Sequence, residues 1–331
     1  MNRQVYVPTR LSPSSLRGAA TGHTVHHASG ESMGTTWQLK YQLPEDLNAD
    51  TVHSTVVGVL SRIIEQMSHW DESSELSRFN RSPANTWHTL SPEFFEVLER
   101  AVAIARDSDG ACDPTLGKLV NIHGFGPQHI DQLPNFETLH RARSHAGWTR
   151  LQLDREQSRA LQPGSCELDL SSIAKGYAVD LCCEKLLELG IRSLLFELGG
   201  EARGHGCKPD AQPWWVKLET PSDLPESVVA LCDLSLATSG TSARSLILDG
   251  KQISHLISPH TGAPAQSTLT SVSVLAESCT DADAWATALF IAGLERGREL
   301  AETRKLAARF ISHDGDQFHA YCSSELAAMA D

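Results

Sequence analysis

From Ile191 to Ala276 the chain reads as a run of short apolar strands separated by turn residues. Ile191 to Leu198 ends at Gly199-Gly200, where the backbone must turn or approach a ligand closely. Trp214 to Leu218, Val228 to Leu231, Leu234 to Thr238 and Leu269 to Ala276 read as further strands. Leu246 to Leu248 and Gln252 to Ile257 flank Asp249-Gly250, which reads as a hairpin turn. The helical patterns lie outside this run. Val56, Val59, Leu60, Ile63 and Met67 put an amphipathic helix over 51–68. Ser91-Pro92 starts another over 92–107. Further helices are expected over 281–292 and 294–302, a strand over 33–42 and a closing hairpin over 308–322. Helices set between groups of hairpin-linked strands favour an α+β fold with mixed, mainly antiparallel sheets and flanking helices, over a repeating parallel α/β fold.

The chain has 331 residues, 40% of them apolar, which is enough for a substantial core. Its net charge of −13 and lack of a basic patch argue against nucleic acid. An anionic dinucleotide is still allowed, because a local cation and a helix N-terminus can outweigh the mean field. The eight cysteines form no CxxC pair, and Cys182 and Cys183 are neighbours on a helix. They read as buried small apolar residues in a reducing compartment. Residues 1–32 are polar, carry Pro8, Pro13, Gly18 and Gly22, and read as a flexible segment that includes His23, His26 and His27. No signal peptide, lipobox or membrane span is visible, so a cytoplasmic location is expected for the chain as given.

The chemistry concentrates at Glu167-Leu-Asp-Leu-Ser-Ser-Ile-Ala-Lys-Gly-Tyr-Ala-Val-Asp180. Apolar residues at Val179, Leu181, Cys182, Leu186 and Leu187 follow at helical spacing, and Ser171 or Ser172 can cap the helix. A helix N-terminus suits a phosphate. Asp169 and the neighbouring serines suit a hard cation. A second cluster, Asp281-Ala-Asp283-Ala-Trp-Ala-Thr287, places Asp283 and Thr287 on one helix face.

This pairing, with four further segments, resembles the ApbE family of FAD:protein FMN transferases. Met33-Gly-Thr-Thr-Trp37 resembles the family's M-G-T-x-[YW], and Asp71-Glu-Ser-Ser-Glu-Leu-Ser-Arg-Phe-Asn80 its D-x-x-S-E-L-S-R-F-N. Gly110-Ala-Cys-Asp-Pro-Thr-Leu-Gly117 with Gly124-Phe-Gly-Pro127 resembles G-A-F-D-P-T-x-G and G-F-G-P. His255-Leu-Ile-Ser-Pro-His-Thr-Gly262 resembles H-x-x-D-P-x-T-G. The resemblance runs in order from about Met33 to about Gly293. It implies an ApbE-like, T-fold-related architecture over 33–331, with FAD bound between its two halves. It also implies Mg²⁺-dependent transfer of FMN from FAD, as substrate, to a Thr or Ser hydroxyl of an acceptor flavoprotein. Many relatives are exported and membrane-associated, which makes a periplasmic location the alternative.

Carried over residue by residue, the resemblance implies Mg²⁺ ligands at Asp283, Thr287 and the Ser172 carbonyl. It implies FAD contacts at Met33, Trp70, Ala111, Cys112, Asp113, Asp169, Lys175 and, through its backbone, Ile257. Trp70 stands where the family usually has tyrosine and Cys112 where phenylalanine is common. Lys175 reads either as a diphosphate partner or as a solvated charge in the helix's first turn. His255 is the expected proton acceptor. Ser258 replaces the family's aspartate and Ala286 a second acid, which leaves open a hydrolase giving FMN and AMP, or a non-catalytic flavin binder. His123, in place of a tryptophan, reads as packing. Ala237-Thr-Ser-Gly240 resembles a family turn that faces the flavin or ends a strand.

Overall fold

The computed structural model describes residues 3–9, 24–241, 245–248 and 251–330. Its centre is an eight-stranded antiparallel sheet. In chain order the strands are β2 (Val25–Ser32), β3 (Thr35–Gln42), β7 (Leu194–Leu198), β8 (Glu201–His205), β11 (Leu234–Gly240), β14 (Leu269–Ala276), β15 (Ala307–His313) and β16 (Phe318–Cys322). Their spatial order is β16-β15-β14-β11-β8-β7-β3-β2. Smaller sheets are formed by β1 (Gln4–Tyr6) with β9 (Trp214–Leu218) and β10 (Ser227–Leu231), and by β4 (Thr86–Thr89), β5 (Gln152–Asp154) and β6 (Arg159–Gln162). A hairpin pairs β12 (Ser245–Leu248) with β13 (Lys251–Ser254); its expected Asp249-Gly250 turn lies outside the described residues.

The helices are α1 (Ala49–Met67), α2 (Glu75–Asn80), α3 (Pro92–Asp107), α4 (Gly117–Ile122), α5 (Phe136–Ser144), α6 (Ala174–Glu188), α7 (Cys279–Ala292), α8 (Leu294–Arg304) and α9 (Ser324–Ala327). Trp148–Arg150 forms a single 3₁₀ turn.

Side chains alternate across a strand, and the main sheet uses both faces. Trp37, Leu39, Phe196, Ala237 and Phe310 face the helices and join Val56, Ile63, Leu98, Val179, Cys183, Ala284 and Leu289 in one core. Leu195, Ala202, Leu236 and Leu275 face the other way and pack with Tyr6, Trp214, Val229 and Leu231 of the small sheet.

The described parts of the segment that the sequence suggested to be flexible include two strands. Gln4–Tyr6 runs parallel to β10, and Val25–Ser32 pairs with β3 along its whole length, from Val25 with Gln42 to Ser32 with Thr35. His26 and His27 are therefore strand residues; His23 lies outside the described residues. A polar edge strand carries little hydrophobic signal, so its pairing shows only in three dimensions.

Two tight turns sit side by side at one end of the sheet. Met33 and Gly34, at φ of 51° and 73°, join β2 to β3; Gly199 and Gly200, at 61° and 107°, join β7 to β8. Two-residue hairpins need this left-handed backbone. The Gly199 N–H donates to the Thr36 carbonyl at 3.1 Å, which locks the turns together. Glu201 opens β8 at this same end.

Candidate active site

The backbone around Asp169 is fixed from both sides. Asn80, the last residue of the 71–80 motif, donates from Nδ2 to the Leu168 carbonyl (2.9 Å) and accepts the Leu168 N–H (2.7 Å). The Gly117 N–H donates to the Glu167 carbonyl, and the Asp169 N–H to the Pro114 carbonyl, both at 2.9 Å. The rest of the 71–80 motif folds back on itself. Asp71 accepts from the Ser73 N–H and hydroxyl, and Ser74 caps α2 by accepting from the Ser77 N–H. That motif therefore acts as a clamp on the segment leading to Asp169.

α6 begins at Ala174 and has no side-chain cap, so neither Ser171 nor Ser172 caps it. The Ser171 N–H instead donates to Asp169 Oδ1 at 2.7 Å, and the Ser172 hydroxyl lies 3.4 Å from Cys112 Sγ. The intervening turn takes up the serines and delays the helix start.

Asp283 is buried on α7 and accepts the Gly176 N–H of α6 at 3.0 Å. Thr287, one turn later, shares a hydrogen bond with Ser239 of β11 at 2.9 Å. Burial raises the Asp283 carboxyl, against the pull of the Lys175 ammonium and the Gly176 N–H. Lys175 is not a solvated charge: its Nζ lies 2.6 Å from Oε1 of buried Glu201. Burial raises Glu201, opposed by the Lys175 ammonium and reinforced by Asp283. Asp281 does not join this group; Arg100 holds both of its oxygens, at 2.6 and 2.7 Å.

Cys112 ties the two halves of the cluster together. Its thiol is pushed up to about 12 by burial, with the charges of Asp283, Asp113 and Asp169 adding to the push. The segments 111–113, 169–172 and 283 thus lie near one another. The Asp113 side chain accepts from the Thr115 N–H and hydroxyl and from the Trp148 N–H.

The flanking residues vary in placement. Met33 is half-buried in the β2–β3 turn and packs against the core. Trp70 is 50% exposed, so it does not close α1 as a core aromatic. Its ring lies 5.4 Å from that of His69, whose Nδ1 is 3.9 Å from Asp169. Ile257 is buried against Leu116, Leu119 and Ala142. His255 lies 6.1 Å, ring to ring, from Phe125 of the Gly-Phe-Gly-Pro segment. Ser258 braces the following loop through its backbone, donating to the Ala263 carbonyl (2.9 Å) and accepting from the Gly262 N–H (2.7 Å). Glu201 and His69 gave no signal in the sequence, because their partners lie far away along the chain.

The donor set fits a hard divalent cation. Asp283, Thr287 and the Ser172 carbonyl offer only oxygen. Among the described residues, the buried Oδ2 of Asp169 and Oε2 of Glu201 have no hydrogen-bond partner, as expected where a cation or polar ligand belongs. No group of three or more His, Cys, Asp or Glu side chains forms a closed metal cage among those residues, so an ion here would rely on a ligand for several contacts.

Comparison with known proteins decides the family: its sequence model matches residues 33–310. The chain belongs to the ApbE family. It is 36% identical to the FAD:protein FMN transferase of Vibrio cholerae over 90% of each chain. It is 31% identical to that of Escherichia coli, over 95% of this chain and 91% of that protein. The solved flavin transferase ApbE from Vibrio cholerae superposes with a TM-score of 0.87 at 33% identity, covering 93% of this chain and 99% of that one. The apo flavinyl transferase ApbE from Pseudomonas stutzeri gives 0.86 at 32% identity, covering 93% and 97%. The α+β architecture expected from the sequence is that of these ApbE proteins.

Proposed function

We propose that this chain is an FAD:protein FMN transferase, acting on a Thr or Ser hydroxyl of an acceptor flavoprotein with Mg²⁺. Family membership across nine-tenths of the chain carries the reaction class. The convergence of Asp113, Asp169 and Asp283 on Cys112 supports the place of the reaction.

In this reading FAD lies between the two halves of the 33–331 region. Trp70 stacks on a flat ring, Met33 borders the flavin, and the backbone of Ala111 to Asp113 forms a wall. The diphosphate sits by Asp169, Lys175 and the start of α6. Asp283, Thr287 and the Ser172 carbonyl hold Mg²⁺, which supplies neutralisation of phosphate charge. The acceptor hydroxyl oxygen attacks the phosphorus on the FMN side. The bond from that phosphorus to the bridging oxygen breaks, AMP leaves with that oxygen, and FMN stays on the acceptor as a phosphoester. His255 takes the hydroxyl proton. The buried cluster orients the groups in line, which is the main contribution a protein makes to such transfers. Hydrolysis would use the same site with water as acceptor.

The test is incubation of the purified chain with FAD and Mg²⁺, with and without an acceptor peptide. The expected result is AMP together with a fluorescent peptide heavier by one FMN. Asp283→Ala should lower the rate on the order of 100-fold or more, because it removes the charged cation ligand. AMP with free FMN, equal with and without acceptor, would replace the transferase by a hydrolase.

A further inference from the structure

Away from the site, two buried sulfurs face each other. Cys207 follows β8 and Cys232 follows β10; they are 25 positions apart, and their Sγ atoms are 3.6 Å apart. The surrounding backbone is held firmly. The Ser193 hydroxyl donates to the Cys207 carbonyl at 2.5 Å. The Gly206 N–H donates to Asp233 Oδ1 at 3.3 Å, and His205 Nδ1 lies 2.7 Å from the same oxygen. At Gly204 any side chain would run into the Leu231 carbonyl, so the two segments pass as closely as backbone allows. No metal cage of three or more ligands occurs among the described residues, so the two thiols are not half of one.

We propose that Cys207 and Cys232 join in a disulfide when the chain folds in an oxidising environment. Their sulfurs are in contact, and bonding at about 2.0 Å needs only a small closing movement. The oxidant is a small-molecule or protein disulfide. One cysteine thiolate attacks it, breaking the donor S–S bond and releasing one donor thiol. The second thiolate then attacks the mixed disulfide and releases the other. The two cysteines give up two protons and two electrons, and the donor takes both electrons. Both sulfurs are buried in the folded chain, so the exchange belongs to folding rather than to the finished protein.

The bond has a defined place relative to the site. β8 starts at Glu201 by Lys175 and leads away to Cys207. β11 starts beyond Cys232 at Leu234 and reaches Thr287 only at Ser239. The disulfide therefore closes the far end of the sheet. It should add stability without changing turnover.

The test refolds the full chain from denaturant in oxidised and reduced glutathione, alkylates remaining thiols and maps the peptides by mass spectrometry. The expected product joins the Cys207 peptide to the Cys232 peptide. Its Tm should exceed that of the chain refolded in dithiothreitol by roughly 5 °C, with equal kcat for AMP release. Cys232→Ser and Cys207→Ala should each abolish the redox-dependent gap in Tm. The peptide map of the unaltered chain stands even if a variant folds poorly. Recovery of Cys207 and Cys232 as alkylated thiols, or joined to other cysteines such as Cys322, would overturn the proposal.

Discussion

Glu201 carries a buried charge problem that its sequence neighbours do not announce. It faces Lys175 at 2.6 Å, lies near Asp283 and keeps Oε2 buried without a partner. Glu201→Gln would keep its shape and leave the ammonium facing a neutral amide. Lys175 is 30% exposed, so water offsets part of the loss. The expected destabilisation is about 1–3 kcal/mol, read from denaturant midpoints; an unchanged midpoint would show that the pair does not anchor the turn. His123 gives a prediction with a clear sign. It is buried, its Nδ1 is 2.8 Å from the Leu119 carbonyl, and burial lowers it below the ordinary 6.5. The unfolded chain then binds the proton more readily, so stability is present above pH 6.5 and is lost as pH falls toward the depressed folded value. His123→Gln should flatten that part of the stability–pH curve; parallel curves would reject the assignment. His123 read correctly as packing because it stood in an aromatic's place. Glu201 was invisible because Gly199-Gly200-Glu201 signals a turn, and nothing in the spacing points to Lys175.

Among the elements, the packing of α6 against α7 positions the acidic cluster. Gly176 lets the helices touch: a methyl there would run into the Cys279 carbonyl and lie 2.8 Å from Asp283 Cβ. Asp180, one turn further along α6, fixes the start of α7. It accepts from the Cys279 N–H (2.9 Å), the Thr280 N–H (2.8 Å), the Thr280 hydroxyl (2.7 Å) and the Ser278 hydroxyl (2.9 Å). Arg203 of β8 balances its charge at 2.5 Å. Gly176→Ala should therefore cost about 3 kcal/mol and lower activity beyond what the lost stability explains, because Asp283 moves with α7. A variant with full stability would show that the helices have room to separate. α1 was legible from apolar periodicity, α3 from its Ser91-Pro92 start, and β14 to the residue. The six-residue α2 and α4 were not, because so short a helix shows little more than one turn of pattern. Glu167 makes only an isolated bridge to Leu116, since Asn80 and Pro114 take the neighbouring backbone groups.

For the whole molecule, one sheet separates two cores and brings its turns and two helices to a common end. Met33, Asp169, Asp283 and Thr287, which the sequence motifs single out, come from distant segments. Its outer border was misjudged at residues 25–32, where a polar strand completes the sheet edge. No described helix is long and apolar enough to cross a membrane. A crystal structure of the chain with FAD and Mg²⁺ shows whether these segments form one site for FAD and a divalent cation. The expected structure has the ion on Asp283, Thr287 and the Ser172 carbonyl, the diphosphate beside Asp169 and Lys175, and a flat ring against Trp70. A dinucleotide bound elsewhere, or an ion that leaves Asp283 untouched, would contradict it.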